Sequence, residues 1–364
     1  MINRPLPPLI LPIFLPYAGC RERCLFCNQR TMAAEVPSSL AVRERIASSI
    51  EKIDLRQKHR DKQVAFYGGS FTAMEGGDQI RYLQEVQPFM SSGQIDSIRV
   101  STRPDALDQK SLALLTSFGV KTVEIGAQSM NDHVLSLSGR GHTAEDTVSA
   151  VRRLMDYGFE VGVQLMIGLP GDNFELFLHA LNRIIELRPH FIRIHPTLVL
   201  KGAPLESLWR AQRYSPLSLE EATRWLKVGL IKMERASIPV ARLGLQPTEE
   251  LRDHVLTGPF HPAFRHLVES AIAFDMLAHL IKSCPENEEV LLMCHPRETS
   301  NLRGQRNENV RSLKERFGLG EIRVQASEQV EVGTFFLQTP RRKVLIRRQD
   351  LVYDGCGKPQ WNGN

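Results

Sequence analysis

Leu9-Ile-Leu-Pro-Ile-Phe-Leu15 leads directly into a loop with three cysteines, in the string Cys20-Arg-Glu-Arg-Cys24-Leu-Phe-Cys27. The apolar run predicts a first buried strand, and the cysteines follow its end with the spacing C-x3-C-x2-C. Thiolates are the usual protein ligands of iron–sulfur clusters. Three thiolates on one short loop can hold three irons of a 4Fe–4S cube and leave the fourth iron without a protein ligand. That open iron would be a place for chemistry.

A zinc site is the alternative use of the same loop. Zinc usually takes four ligands, commonly as two separated pairs, and the sequence has no second pair with such spacing. His133 or His142 would have to complete a zinc site from elsewhere in the chain. The spacing therefore favours an iron–sulfur cluster as the occupant.

Bulk composition indicates a soluble globular protein. The chain has 364 residues, of which 42% are hydrophobic and 24% charged, as is typical of this class. The net charge of +5, from 46 basic and 41 acidic residues, permits an RNA partner without requiring one. The remaining cysteines are scattered and are expected to be core or surface thiols: Cys284, Cys294 and Cys356. This usage excludes a secreted disulfide framework and indicates a reducing compartment.

The N-terminal stretch and the hydropathy pattern argue against membrane insertion or export. Prolines from Pro5 to Pro16 interrupt the helix that a signal peptide would need,. No apolar stretch reaches the ~20 residues that span a bilayer. We therefore expect a cytoplasmic protein without a membrane partner.

Strand-like apolar runs alternate with amphipathic helical runs through the first two thirds of the chain. Six such strand–helix units predict an α/β fold with parallel strands and right-handed crossovers. Glycine-rich or polar strings follow the strand ends, so a partial TIM-like (β/α)6 barrel fits better than a doubly wound sheet. The predicted strands are Leu9–Leu15, Gln63–Tyr67, Ser97–Ser101, Thr122–Gly126, Gly162–Ile167 and Phe191–His195. Helices are predicted near Ser39–Arg56 and from capping signals at Thr143 and Ser218,.

The pattern changes near residue 244. Residues 1–244 are predicted to form the barrel with its cluster loop, and residues 245–364 a smaller α+β region of unknown role. In the second region a helix near Pro262–Ser283 precedes several short β-like runs,.

A second motif, Tyr67-Gly68-Gly69-Ser70-Phe-Thr72, stands at the end of the second predicted strand. Glycine has no Cβ, so it lets the backbone approach a ligand closely. Taken alone, the glycine pair would indicate only a tight turn. Together with a cysteine loop at the same end of the sheet, it indicates a cofactor site.

With these motifs in this order, the chain resembles the radical S-adenosylmethionine (SAM) superfamily. It is more closely similar to the radical SAM domain of the catalytic subunit of the Elongator tRNA-modifying complex, and more distantly to oxygen-independent coproporphyrinogen oxidase. The resemblance covers roughly residues 10–243. Beyond the two motifs already quoted, it rests on the strings Ser101–Asp105, Glu124–Ser129, Ser138–Thr143, Ile167–Asp172 and His195–Gly202.

The resemblance implies roles for the matched residues. Cys20, Cys24 and Cys27 would ligate the 4Fe–4S cluster, and SAM would chelate its open iron. The implied SAM contacts are Gly68, Gly69, Ser70, Gln128, Arg140, Gln164 and Gly168. Amides suit ribose hydroxyls, and the Arg140 guanidinium suits a carboxylate. Without a cofactor, the two glutamines would be ordinary polar strand ends and Arg140 a surface charge. No catalytic side chain is assigned.

The implied reaction is reductive cleavage of SAM to a 5′-deoxyadenosyl radical, which removes hydrogen from a substrate. Kinship to the tRNA-modifying subunit favours tRNA as that substrate, and a flavodoxin- or ferredoxin-like protein is the expected electron donor. A small, tetrapyrrole-like metabolite is the alternative substrate, and a non-catalytic iron–sulfur protein is the alternative class.

The sequence differs from the families that it resembles in two places, and both differences limit what we expect of it. Ser101 stands where the coproporphyrinogen-oxidase relatives carry a glutamate, so a carboxylate contact to SAM is not expected there. No acetyl-CoA-binding acetyltransferase pattern follows residue 245, so the carboxymethyl chemistry of the Elongator-type subunit is not expected either.

Several basic residues have two interpretations. Arg193, His195 and Lys201 would either meet an anionic substrate at the barrel mouth or fill the barrel as polar side chains. The run Arg56–Lys62 is predicted to be a solvated helix end rather than an RNA contact. Asn301–Arg306 and Arg341–Lys343 are candidates for phosphate contacts, although acidic residues are mixed through the same region,.

Overall fold

The computed structural model describes residues 7–20, 24–29, 35–57 and 59–361. Its strands are β1 (Leu9–Leu15), β2 (Lys62–Gly68), β3 (Ser97–Thr102), β4 (Val120–Gln128), β5 (Glu160–Ile167), β6 (Phe191–Pro196), β7 (Val199–Leu200), β8 (Val240–Leu243), β9 (Val255–Thr257), β10 (Val290–Cys294), β11 (Ile322–Ala326), β12 (Thr334–Gln338), β13 (Lys343–Arg347), β14 (Leu351–Tyr353) and β15 (Pro359–Trp361).

Helices alternate with these strands. They are α1 (Ser39–Glu51), α2 (Gly76–Ser91), α3 (Gln109–Ser117), α4 (Asp132–Leu137), α5 (Ala144–Asp156), α6 (Phe174–Leu187), α7 (Pro204–Arg210), α8 (Leu219–Arg235), α9 (Glu249–His254), α10 (Phe264–Ile281), α11 (Thr299–Arg303) and α12 (Glu308–Phe317). Of the predicted N-terminal lead-in, residues 1–6 lie outside the described ranges.

The chain forms two compact units. The first comprises residues 1–216 and 246–258, and the second comprises residues 217–245 and 259–364. This division differs from the predicted single boundary at residue 244, because α8 packs against α10 within the second unit. Segment 246–258 belongs to the first unit because its strand β9 pairs antiparallel with β7. Tertiary pairing, which local sequence does not reveal, decides both assignments.

Within the first unit, strands β1 to β6 lie side by side in chain order. Every neighbouring pair among them is parallel, and helices occupy the connections, as parallel pairing requires. Val64 and Phe66 of β2 are fully buried on one face, while Gln63 and Tyr67 stand on the other,. This architecture confirms the expected α/β fold with a partial TIM-like barrel.

Local capping signals place several helices. Thr143 and Asp146 form a reciprocal capping box at the start of α5, and Ser218 caps α8 in the same way,. Both helix starts confirm the prediction. Helix α1 ends at Glu51 rather than near Arg56, because Asp54 Oδ1 accepts a hydrogen bond from the Arg56 amide at 2.9 Å and begins a separate turn,.

The second unit contains a four-stranded sheet in the order β11-β10-β12-β13. Strands β10 and β11 are parallel, and the other two pairings are antiparallel. Helix α10 contributes Val268, Ile272 and Met276 to the core at a spacing of four residues,. The expected α+β character of the C-terminal region is therefore confirmed.

The three scattered cysteines are unbridged. Cys294 is buried, Cys284 is half-buried and Cys356 is exposed, which confirms that they are core or surface thiols. No helix among the described residues combines the length and apolar character that crossing a membrane requires.

Candidate active site

The three clustered cysteines lie just beyond the carboxyl end of β1. The Cys20 amide donates to Tyr17 O at 2.9 Å, and the Cys27 amide donates to Cys24 O at 3.1 Å. All three thiols are free; Cys24 is buried and the other two are half-buried. The loop therefore presents three unpaired thiols at one edge of the parallel sheet.

Neighbouring segments hold this loop in place. The Leu25 amide donates to Ser138 O at 3.0 Å, and Leu25 O accepts from the Leu205 amide at 2.8 Å. Phe26 packs on an apolar cluster that includes Leu205 and Tyr214. The main chain and the aromatic side chain between Cys24 and Cys27 are therefore both fixed.

Gln29 connects the end of the cysteine loop to the glycine motif. Its Nε2 donates to Gly68 O at 2.6 Å, and its amide donates to the Tyr17 hydroxyl at 2.8 Å. Its Oε1 accepts from the Tyr17 amide. The adjacent Asn28 donates from Nδ2 to Lys201 O at 2.6 Å. The cysteine loop and the glycine motif thus form one connected structure.

The surroundings of the cysteine loop disfavour the negatively charged thiolate form of Cys20 and Cys27. Burial raises the pKa of Cys20, and the nearby Cys24 thiol raises it further. Burial, together with the other two thiols, raises the pKa of Cys27 to about 12. Iron would supply the positive charge that stabilises the thiolates. Three free thiols on one loop therefore fit the donor set of a 4Fe–4S cluster.

A zinc site would need a fourth ligand beside the three thiols. Burial lowers the pKa of His142 to about 4, and its Nε2 lies 3.2 Å from Ala127 O.

Arg140 lies against the cysteine loop. Its Nη1 donates to Cys24 Sγ at 3.1 Å, and its Nη2 donates to Gly126 O at 2.6 Å. The residue is only 6% exposed, so it is not a surface charge. Its buried Nε has no hydrogen-bond partner in the described part of the chain. An anionic group of a bound cofactor would satisfy that donor.

Gln128 and Gln164 meet close to Arg140. Gln164 Nε2 donates to Gln128 Oε1 at 3.2 Å. A Cβ placed on Gly126 would lie 2.9 Å from Gln128 Nε2 and 3.5 Å from Arg140 Nη2. Gln128 has a positive φ of 66° at a register shift between β4 and β5. The irregular end of β4 therefore brings three of the predicted SAM contacts together over a glycine.

The glycine motif packs tightly on the turn after β1. The Gly69 amide donates to Leu15 O at 2.9 Å, and a Cβ on Gly69 would lie 1.9 Å from Ala18 O. Gly68 has a φ of 106°, which side chains rarely tolerate. A small cavity opens beside the motif, with Gly69 and Ser101 in its lining. The glycines thus have a packing role beside any role in cofactor binding.

Ser70 is fully engaged within the protein. Its Oγ lies 3.0 Å from Thr102 Oγ1 and accepts from the Arg103 amide at 3.2 Å, and the residue is 1% exposed. The Ser70 side chain therefore connects the glycine motif to the end of β3. Direct contact between Ser70 and SAM stays a prediction.

Gly168 lies in a turn at the end of β5 that two side chains hold. Asp172 Oδ2 accepts from the Gly168 amide at 2.9 Å, and the Tyr214 hydroxyl donates to Gly168 O at 2.6 Å. Burial raises the pKa of Asp172 to about 7. Sequence reasoning missed both residues. Asp172 ends the quoted string Ile167–Asp172, but no local pattern marks Tyr214.

A buried charge network crosses the inner face of the sheet. Glu124 Oε1 accepts from Arg99 Nη1 at 2.8 Å and from the Tyr67 hydroxyl at 3.0 Å. Glu124 Oε2 accepts from Arg193 Nη1 at 2.9 Å, and Arg99 Nε donates to Gln63 Oε1 at 3.0 Å. Sequence reasoning assigned no role to Arg99 or Glu124, because their partners come from four different strands.

The three basic candidates at and after β6 have different environments. Arg193 is half-buried and forms an ion pair with Glu124. This environment matches the interpretation of Arg193 as a polar side chain that fills the barrel. His195 is buried in β6, and Lys201 is exposed in the turn after β7. Binding of an anionic substrate by these residues stays a prediction.

Two of the other basic side chains bind the protein itself. Arg60 Nη2 donates to Pro7 O at 2.6 Å, and Arg342 Nη1 donates to Ser283 Oγ at 2.7 Å. Lys58, in the predicted solvated helix end, lies outside the described residues.

Comparison with known proteins identifies the family to which these motifs belong. Residues 14–184 match the radical SAM superfamily model, and residues 189–273 match the radical SAM C-terminal domain. The chain is 26% identical over 238 residues to a tRNA uridine(34) acetyltransferase of Methanocaldococcus infernus, covering 55% of this chain and 45% of that protein. It is 27% identical over 208 residues to protein YhcC of Escherichia coli K12, covering 56% of this chain and 65% of that protein.

A solved structure shares the fold. The archaeal Methanocaldococcus infernus Elp3 with an N-terminal deletion matches with a TM-score of 0.56 and 22% identity, covering 72% of this chain and 62% of that one. This chain spans about half the length, or less, of the first curated relatives that it matches. The two matched regions follow one another from residue 14 to residue 273 and contain the cysteine loop and every predicted SAM contact. The chain therefore belongs to the radical SAM superfamily, whose enzymes use a 4Fe–4S cluster and S-adenosylmethionine.

Proposed function

We propose that this protein cleaves SAM reductively at a 4Fe–4S cluster and uses the product to abstract hydrogen from a tRNA substrate. The observation that carries the proposal is the grouping of Arg140, Gln128 and Gln164 beside the cysteine loop. This grouping combines a buried cationic donor with two amides, next to three free thiols. A non-catalytic cluster protein would have no need of it.

The chain's own residues would bind and orient the cofactors. The three thiolates would hold the cluster, and the Arg140 guanidinium would bind the SAM carboxylate through its unpartnered Nε. Gln128 and Gln164 would bind the ribose hydroxyls, and the turn at Gly168 would border the adenine. When bound, the reduced cluster and SAM supply one-electron cleavage of the carbon–sulfur bond, which releases methionine and a 5′-deoxyadenosyl radical.

The cofactor part is tested by anaerobic reconstitution with iron and sulfide. We expect wild-type protein to bind four irons per chain, and to release 5′-deoxyadenosine when dithionite and SAM are added. Cys24→Ala should lose both properties, whereas Cys356→Ala, which removes an exposed thiol of the second unit, should keep them. Colourless wild-type protein that holds only zinc would contradict the cluster, and a cluster that never cleaves SAM would contradict the reaction.

The substrate part is supported by the relatives and by charge. The archaeal relative is a tRNA uridine(34) acetyltransferase, and the net charge of +5 suits a polyanion,. We expect retention of total tRNA in a gel shift, with affinity that falls steeply as salt rises. Incubation with RNA from a deletion strain should then change a nucleoside that mass spectrometry detects. Absence of tRNA binding would instead favour a small-metabolite substrate.

The electron donor and the location belong to the same proposal. A flavodoxin- or ferredoxin-like protein of the cytoplasm would deliver one electron to the cluster. Release of 5′-deoxyadenosine with a reduced flavodoxin in place of dithionite would support this donor class. Activity with dithionite but none with reduced flavodoxin or ferredoxin would argue against this donor class.

A further inference from the structure

Residues 197–216, which we name the bridging segment, follow β6 and include β7 and α7. The segment touches the cysteine loop at three points. The Leu205 amide donates to Leu25 O at 2.8 Å, Lys201 O accepts from Asn28 Nδ2 at 2.6 Å, and Phe26 packs on the segment's apolar cluster. The cysteine loop thus rests on the bridging segment through both main-chain and side-chain contacts.

The same segment holds the turn at the end of β5. At its start, the Thr197 amide and hydroxyl both donate to Ile167 O, at 2.9 and 2.8 Å. Near its end, the Tyr214 hydroxyl donates to Gly168 O at 2.6 Å. Because Asp172 accepts from the Gly168 amide, side chains satisfy both backbone groups of Gly168, and the turn has little freedom to move.

Tyr214 participates in both connections. Its ring belongs to the buried cluster with Val199 and Leu205, against which Phe26 packs, while its hydroxyl holds Gly168. Burial raises the pKa of Tyr214, so the hydroxyl stays protonated and remains a donor at neutral pH. One side chain therefore connects the loop that would bind the cluster with the turn that would border the adenine.

We infer that the bridging segment fixes the spacing between the cysteine loop and the Gly168 turn, and that Tyr214 is the positioning residue in this connection. The inference rests on the proposed function, because that function requires SAM to contact both places at once. Electron transfer into the carbon–sulfur bond depends on where the sulfonium lies relative to the iron, and misplacement by about 1 Å can cost a hundredfold in rate. Neither the hydroxyl nor the ring of Tyr214 takes part in the chemistry.

The first test removes only the hydroxyl. We expect Tyr214→Phe to retain the iron content and visible spectrum of wild type, because the ring stays in the apolar cluster. Its affinity for SAM, measured by anaerobic calorimetry on the oxidised, reconstituted protein, should fall roughly five- to tenfold, the worth of one hydrogen bond. The matched control Tyr157→Phe, at an exposed tyrosine, should bind SAM like wild type. Wild-type affinity in Tyr214→Phe would overturn the inference.

The second test does not depend on either cofactor. Hydrogen exchange of the full chain without cluster is followed in peptides that cover residues 24–29 and 167–172. Leu205→Ala should speed exchange several-fold in both peptides, and Tyr214→Phe in the second peptide alone. Leu112→Ala, at an equally buried leucine of the first unit, should leave both peptides unchanged at low denaturant.

The two tests distinguish failure of this inference from failure of the proposed function. If wild-type protein fails to bind SAM, the proposed function fails, while hydrogen exchange still decides whether the segment connects the two places. Unchanged exchange at residues 24–29 in Leu205→Ala would overturn the connection even if SAM binds and is cleaved.

Discussion

Arg140 donates a hydrogen bond to Cys24 Sγ at 3.1 Å, although 116 positions separate the two residues in the chain. The same guanidinium donates to Gly126 O at 2.6 Å, so a buried positive charge lies between a predicted cluster ligand and the end of β4. Hydrogen bonds and charge near the ligand sulfurs set the reduction potential of iron–sulfur clusters. A nearby cation favours the reduced cluster, because reduction adds negative charge.

Arg140→Gln should therefore lower the reduction potential of the reconstituted cluster, as followed by electron paramagnetic resonance during a redox titration. The free energy of unfolding of the unreconstituted chain should also fall by about 2 kcal/mol, because Gly126 O loses a charged donor. The control Arg183→Gln changes a more exposed arginine that pairs with Glu145 at 3.5 Å. It should alter neither quantity. An unchanged potential in Arg140→Gln would show that the contact with Cys24 does not tune the cluster.

The glycine motif offers a matched pair of substitutions. Gly69→Ala would place a Cβ 1.9 Å from Ala18 O, so the turn after β1 must shift. We expect a loss of 3 kcal/mol or more, on the order of a severe packing defect, and poor retention of iron after reconstitution. Gly77→Ala meets no atom within 4 Å and lies in the first turn of α2, so it should be neutral or stabilise by up to about 1 kcal/mol. Urea denaturation and iron analysis measure both effects. Equal behaviour of the two variants would contradict the packing role.

Much of the fold follows from local signals in the sequence. The apolar run Leu9–Leu15 predicts β1 with the bounds that the structure shows, and the capping signals at Thr143 and Ser218 give the starts of two helices. Such signals lie within a few residues of the element that they specify. The assignment of α8 to the second unit depends instead on burial against α10, which no local pattern encodes.

The candidate site also contains some residues that local sequence reveals and others that only the fold brings together. The cysteine loop and the glycine motif are contiguous strings, so their chemistry can be read directly from the sequence. Tyr214 lies between Arg213 and Pro216 in a stretch without any motif, and only the fold brings its hydroxyl to Gly168. The partners of Glu124 come from other strands, so only the strand order reveals that charge network.

The Glu124 carboxylate neutralises the positive charge of two guanidinium groups inside the first unit. It is 2% exposed and accepts from Arg99 at 2.8 Å and from Arg193 at 2.9 Å. Glu124→Gln leaves both arginines without their carboxylate, so the free energy of unfolding at pH 7 should fall by roughly 3 kcal/mol. Glu145→Gln, at an exposed glutamate that pairs with Arg183, should cost less than about 1 kcal/mol.

The effect of Glu124→Gln should also depend on pH. The two arginines hold the pKa of Glu124 below its ordinary value of 4.5, so the carboxylate stabilises the fold above that pH. This contribution disappears as the pH falls through the lowered pKa. Denaturation at several pH values should show the wild type and Glu124→Gln converging in acid. A constant difference down to strongly acidic pH would refute the role of the charge.

Asp172 should give a pH dependence of the opposite sign. Burial raises its pKa from an ordinary 3.8 to about 7, even though the amides of Gly168 and Asn173 donate to it. The folded protein then holds a proton that the unfolded chain has released, so the free energy of unfolding falls as the pH rises from about 4 to about 7. Asp172→Asn keeps an acceptor for the Gly168 amide but cannot ionise.

The stability of wild type relative to Asp172→Asn should therefore decrease between pH 4 and pH 8, by up to about 4 kcal/mol. Asp156→Asn, at an exposed aspartate at the end of α5, serves as the control and should track wild type across the range. Urea denaturation of the full chain at four or five pH values measures these differences without requiring any cofactor. A constant difference between Asp172→Asn and wild type would show that Asp172 ionises in the folded chain as it does in water, and would refute the raised pKa.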